Sequence, residues 1–180
     1  GTLGVITKAV LRLVSLPREN RLMLVPFRSA RKACEAVSAV FRAGITPSAM
    51  EFMERDAIEW TLKHVSDVTI AVPDDVQAHL LVEVDGNDPE ALMKDCEAIM
   101  TVMEAHECGE VLFAENTLEK DGLWRMRRKV GEAVKSNSVY KEEDTVVPRY
   151  ELPRLLEGVK EIGNRHGFRS VCYGHAGDGN

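Results

Sequence analysis

The sequence predicts an α+β fold, an antiparallel sheet with helices packed against one of its faces. Three observations carry that expectation. Strand-like and helix-like periods alternate along the chain with short connections between them. Several helical segments of similar length each carry a single apolar stripe. No glycine fingerprint follows the first strand, so a doubly wound nucleotide-binding sheet loses its main support. At 180 residues and 44% hydrophobic, the chain can bury a substantial core.

Residues 1–13 alternate glycine with β-branched residues (Val5, Ile6, Thr7, Val10) and read as closing strands of something upstream. Residues 21–26 form a short apolar run of the buried-strand kind. Ser29 is placed to cap a helix in which Ala33, Ala36, Val37, Val40 and Phe41 share a face. Gly44 stands at its C-terminal cap, and Pro47 blocks continuation. A strand is expected over 49–53, a helix over 54–64, and the clearest strand over 78–84, with Leu80, Val82 and Val84 on one side. Asp88 and Pro89 start a helix in which Leu92, Cys96, Ile99, Met100 and Met103 line up. A strand over 111–115 and helices over 117–134 and 151–166 follow, then Gly167 and a last strand over 169–173. This order suits a ferredoxin-like antiparallel sheet better than a parallel one. Residues 136–148 fit no element, and irregular polar loops of that length are often functional.

A net charge of −6 argues against a nucleic-acid partner, which would want a basic face. No apolar run approaches the roughly 20 residues of a transmembrane span; the longest, 65–72, is interrupted by Asp67 and Thr69. Cys34, Cys96, Cys108 and Cys172 lie far apart with no CxxC pair, which suits reduced thiols of a cytoplasmic protein.

The richest candidate site is the glycine-rich run Gly174-His175-Ala176-Gly177-Asp178-Gly179-Asn180, which follows an apolar stretch. An imidazole on such a turn is suited to acid–base work or to a metal, and equally to a solvated turn. Arg125, Arg127, Arg128 and Lys129 crowd one helical turn. Arg127 lies three residues after Trp124, so an indole could stiffen it to present its fork to a carboxylate. Lys141 could meet an anion, or pair locally with Glu142, Glu143 or Asp144. Glu51 points away from Met50 and Phe52, as on the exposed face of an edge strand.

With those residues laid out, the chain resembles the FAD-linked 2-hydroxyacid dehydrogenases of the vanillyl-alcohol-oxidase type. Residues 1–7 look like the segment closing their FAD-binding domain, and residues 45–53 like their P-x-x-x-E strand. Leu123-Trp124-Arg125-Met126-Arg127 is similar to their LWxxR helix. Asp144-Thr145-Val146-Val147-Pro148 with Leu152-Pro153 is similar to their DVxVP…LP segment, and the terminal His-Ala-Gly-Asp-Gly-Asn to their most specific motif.

The resemblance implies FAD as cofactor and a small 2-hydroxy acid of the glycolate or D-lactate type as substrate. Its hydroxyl would be oxidised by hydride transfer to the flavin. It implies residues 1–14 as a remnant of the FAD-binding domain, with Gly1, Thr2, Gly4 and Val5 near the cofactor. Residues 15–180 would then be a substrate-binding cap domain that continues past Asn180. Arg127, Lys141 and Asn180 are implied at the substrate, and His175 as catalytic and as one ligand of a divalent metal such as zinc, manganese or iron. An electron acceptor or partner subunit is implied, a homodimer is allowed, and so is peripheral attachment to the inner membrane. With the other ligands outside these residues, the chain alone is expected to bind neither FAD nor metal tightly and to lack turnover. The alternative is a non-catalytic ferredoxin-like module that binds a small anion.

Overall fold

The computed structural model describes residues 2–65, 68, 70–137 and 139–180. Its elements run β1 (Glu19–Phe27), α1 (Ala30–Arg42), β2 (Ala49–Glu54), α2 (Arg55–His64), β3 (Ala78–Gly86), α3 (Pro89–Ala105), β4 (Leu112–Phe113), α4 (Thr117–Asn137), α5 (Leu152–His166) and β5 (Tyr173–Gly174). The sheet order is β4-β1-β3-β2-β5, with every neighbouring pair antiparallel. The first four strands, with α1 and α3, make the expected ferredoxin-like unit. Helix α2 is inserted where that unit turns from its second strand to its third, and α4, α5 and β5 are appended.

The local signals act as expected where they are strong. The Ser29 hydroxyl accepts from the Lys32 amide at the start of α1, and Asp88 caps α3 ahead of Pro89. Gly44 and Gly167 adopt positive φ just past the ends of α1 and α5.

The helices do not share one face, which corrects the single layer expected from the sequence. Met23, Val25 and Phe27 of β1 pack with α1, α3 and α5, together with Met50, Phe52, Leu80 and Val82. Leu22, Leu24, Met53 and Leu81 point the other way, into a second core with Ala57 and Ile58 of α2 and Leu123, Met126 and Val130 of α4. Apolar residues at both parities of β1 require a cover on each side, because successive strand side chains face opposite ways.

The start of the chain also differs. Residues 2–18 lie in no strand and are exposed throughout. A strand needs a ladder partner for its backbone groups, and among the described residues this segment has one only at its end, where the Arg18 amide donates to Gly86 O at 3.2 Å. The strand expected over 169–173 shortens to Tyr173–Gly174, paired with Phe52 and Met53.

Helix α4 runs across the strands, not along them. Its successive inward residues meet successive strands: Lys120 donates to Asn20 of β1, Trp124 to Glu83 of β3, and Arg127 to Glu51 of β2. One turn further on, a Cβ built at Gly131 would lie 3.5 Å from the Tyr173 hydroxyl of β5. Positions 120, 124, 127 and 131 share a helical face. Their span of about 16 Å at 1.5 Å per residue matches three strand spacings, about 14 Å. The match lets one helix hold a polar group on each of three strands and pass close over Tyr173 of the fourth.

Candidate functional site

Glu51 is the centre of the site. It sits in the interior of β2, where Met50 and Phe52 face the first core and Glu51 faces α4. It is 6% exposed, and β2 lies between β3 and β5, so the exposed edge position expected from its alternation is corrected. The alternation itself was right. What it omitted is that a helix covers the second face.

Two groups divide the Glu51 carboxylate. Oε2 accepts from Arg127 Nε at 2.9 Å and is ion-paired with Nη2 at 2.7 Å. Oε1 lies 2.9 Å from Nδ1 of His175. Arg127 is also nearly buried, its side chain 11% exposed, whereas the His175 side chain is 62% exposed. A buried carboxylate and a buried guanidinium thus neutralise each other, and an imidazole on their edge looks outward.

Arg127 does not stack on Trp124, which corrects the expected indole support. The indole Nε1 donates to Glu83 Oε2 at 2.8 Å, and the Arg127 guanidinium lies 5.8 Å from the centroid of the Tyr173 ring. Burial, and then the Glu142 carboxylate, raise the Tyr173 phenol above its ordinary range, opposed by Lys135 and Arg127. Tyr173 is a wall of the site that sequence reasoning missed. The residue before the glycine-rich run was visible only as the end of a strand.

The terminal run and the 144–149 loop are laced together. Val147 donates its amide to Gly179 O at 2.9 Å, and Asn180 Nδ2 donates to Asp144 Oδ1 at 2.5 Å and to Thr145 O at 3.3 Å. Arg149 stacks 3.9 Å from the Phe41 ring centroid and donates Nε to Gly177 O. A Cβ at Gly174 would come within 2.5 Å of Asn180 O. The glycines therefore allow the close backbone approach that presents His175 to Glu51.

Other candidates fall elsewhere. Lys141 is 82% exposed at its side chain and pairs with Glu143 of its own loop, the local ion pair weighed above. Asn180 is engaged with the 144–145 backbone and side chain. Thr2, Gly4 and Val5 stand in the exposed leading segment, with nothing within 4 Å of a Cβ built at Gly4; Gly1 lies outside the described residues. Among the described residues there is no group of three or more His, Cys, Asp and Glu side chains that could hold a metal ion. His175 by itself offers one imidazole nitrogen, Nε2, which does not make a metal site. All four cysteines are free; burial pushes Cys34 up to about 12 and Cys172 up to about 11, so both stay as inert thiols near neutral pH. Among the described residues no helix is long and apolar enough to cross a membrane.

Residues 16–180 match the family described as FAD linked oxidases, C-terminal domain. The whole chain is 29% identical to a D-lactate dehydrogenase of Anaerostipes hadrus, over 39% of that protein. It is 30% identical to the glycolate oxidase subunit GlcD of Bacillus subtilis, over 38% of that protein, and 30% identical to that of Escherichia coli K12, over 36%. In each case the alignment takes in 100% of this chain, which spans under two-fifths of the length of these relatives.

Proposed function

From the premise that the chain belongs to the family of C-terminal domains of FAD-linked oxidases, we propose that it is the substrate-binding domain of a flavin-dependent oxidoreductase. The substrate is a small 2-hydroxy acid of the glycolate or D-lactate class, oxidised at its hydroxyl carbon by hydride transfer to FAD. The names of the relatives support that substrate class, and the name of a subunit among them supports a partner subunit or separate electron acceptor. The groups that this chain itself brings to that reaction are Glu51, Arg127 and His175.

The observation that carries the reading is the single Glu51 carboxylate holding a guanidinium and an imidazole together. A 2-hydroxy acid has a carboxylate to be bound and, on the next carbon, a hydroxyl whose proton must leave as the carbon is oxidised. Arg127 turns its Nε and Nη2 side to Glu51, which leaves Nη1 for the substrate carboxylate. His175 spends Nδ1, which leaves Nε2 to accept the hydroxyl proton. Burial of Arg127 beside Tyr173 lowers the local dielectric and strengthens its contact with the substrate carboxylate.

Steady-state kinetics of the flavin-loaded full-length protein that carries this domain, with D- and L-2-hydroxy acids and their amides, test this. Acids should turn over and the amides, lacking the carboxylate, should not. Arg127→Ala should lower kcat/KM about 10- to 100-fold, the weight of a charge-assisted hydrogen bond. Unchanged kcat/KM would remove Arg127 from the substrate. Tight anion binding with no turnover of any acid would favour a binding module instead.

A further inference from the structure

We propose that Glu51 is a positioning residue that sets the tautomer of His175 while it aims Arg127. The inference rests on the reading of those two side chains given above. Burying a carboxylate costs several kcal/mol unless it is paired, and a bidentate arginine fork would satisfy both oxygens by itself. Glu51 is not used that way. Nε of Arg127 donates to Oε2, Nη2 lies 2.7 Å from the same oxygen, and Oε1 is left for His175.

The chemistry of the donors then decides where the hydrogen sits. A guanidinium only donates, so Glu51 accepts from it, and a carboxylate accepts at its other oxygen as well. Nδ1 of His175 is therefore the nitrogen that carries the hydrogen, and Nε2 carries the lone pair. A neutral imidazole free in water favours the opposite arrangement, with hydrogen on Nε2 and no lone pair there. The same physics operates where a buried carboxylate stands behind a catalytic histidine and fixes its tautomer. Because one carboxylate holds both groups, the spacing of the guanidinium and the imidazole is also fixed by β2, a strand hydrogen-bonded on both sides.

Nitrogen-15 NMR of the histidine-labelled chain at pH 8.5 reads the tautomer directly. The ring of His175 should show a protonated Nδ1 and an unprotonated Nε2. Hydrogen on Nε2 in the unsubstituted protein would overturn the proposal without any variant. Glu51→Gln keeps the size of the side chain but has only one acceptor oxygen, which the guanidinium claims. Its amide then donates toward Nδ1, and the hydrogen should move to Nε2. An unmoved tautomer in Glu51→Gln would overturn the proposal. In the flavin-loaded protein the same variant should lose at least about 100-fold in kcat/KM. A moved tautomer with full kcat/KM would equally sink it. The functional reading fails separately: Arg127→Ala with unchanged kcat/KM rejects that reading, while the NMR result on Glu51 stands.

Discussion

A Cβ added at Gly179 would lie 2.0 Å from the carbonyl oxygen of Val147, at a φ of +84°. Both the left-handed backbone and the contact exclude a side chain. Gly179→Ala should cost at least about 2 kcal/mol in urea unfolding and break the Val147–Gly179 bond; a loss below about 0.5 kcal/mol would show that the two loops are not held together. His79 makes a second prediction at this scale. It is buried in β3, its Nδ1 has no hydrogen-bond partner among the described residues, and burial first, then Arg55, lower its pKa from 6.5 to about 4. Between those values the unfolded chain binds the proton and the folded one does not. Stability from this group is therefore whole above about pH 6.5 and falls as the pH drops towards 4, by about 3 kcal/mol in all. His79→Leu should flatten the pH dependence of the urea midpoint in that window; an unaltered slope would place the titration elsewhere. The glycine-rich run, His175 and Arg127 were legible as residues. The role of Glu51 was not, because a strand's alternation gives a side chain its face and is silent on whether a helix covers that face.

Helix α4 shows what an element adds. The sequence pattern finds the helix and its apolar stripe, Leu123, Met126 and Val130. It does not find the direction in which α4 crosses the sheet, which depends on polar partners far away in the chain. Trp124 reaches 41 positions back to Glu83, and Arg127 reaches 76 back to Glu51. Glu83 also accepts from Asn20 Nδ2 at 3.2 Å, so the indole bond belongs to a small network with Lys120. Trp124→Phe should destabilise by about 1–2 kcal/mol with the fold retained. Paired with Glu83→Gln, it should cost less than the two single changes added together, since both remove one interaction. Strict additivity in the double-mutant cycle would mean that the two side chains act independently. The short last strand has a related explanation. Residues 169–172 have strand-like composition, but the ladder to β2 takes in only Tyr173 and Gly174, with Cys172 adding a single carbonyl that accepts from the Glu54 amide.

For the whole molecule, β1 and β3 share nine register pairs at the centre of a sheet covered on both faces. Hydrogen exchange should therefore be slowest in β1 and β3 and fastest over residues 2–17, which lie in no helix or strand. Protection of that leading segment equal to β3 would show that it packs against the domain in solution. The amino-acid sequence by itself determined the helices, the main strands, the antiparallel α+β class and the family, because periodicity, caps and local motifs are properties of neighbouring residues. The tertiary structure alone decided that helices cover both faces and that α4 runs across four strands. It also decided that Glu51, 76 positions from Arg127 and 124 from His175, is the carboxylate that joins them. Those contacts exist only once the sheet has set the strand order β3-β2-β5 beneath α4, and strand order is a long-range choice that no local pattern encodes.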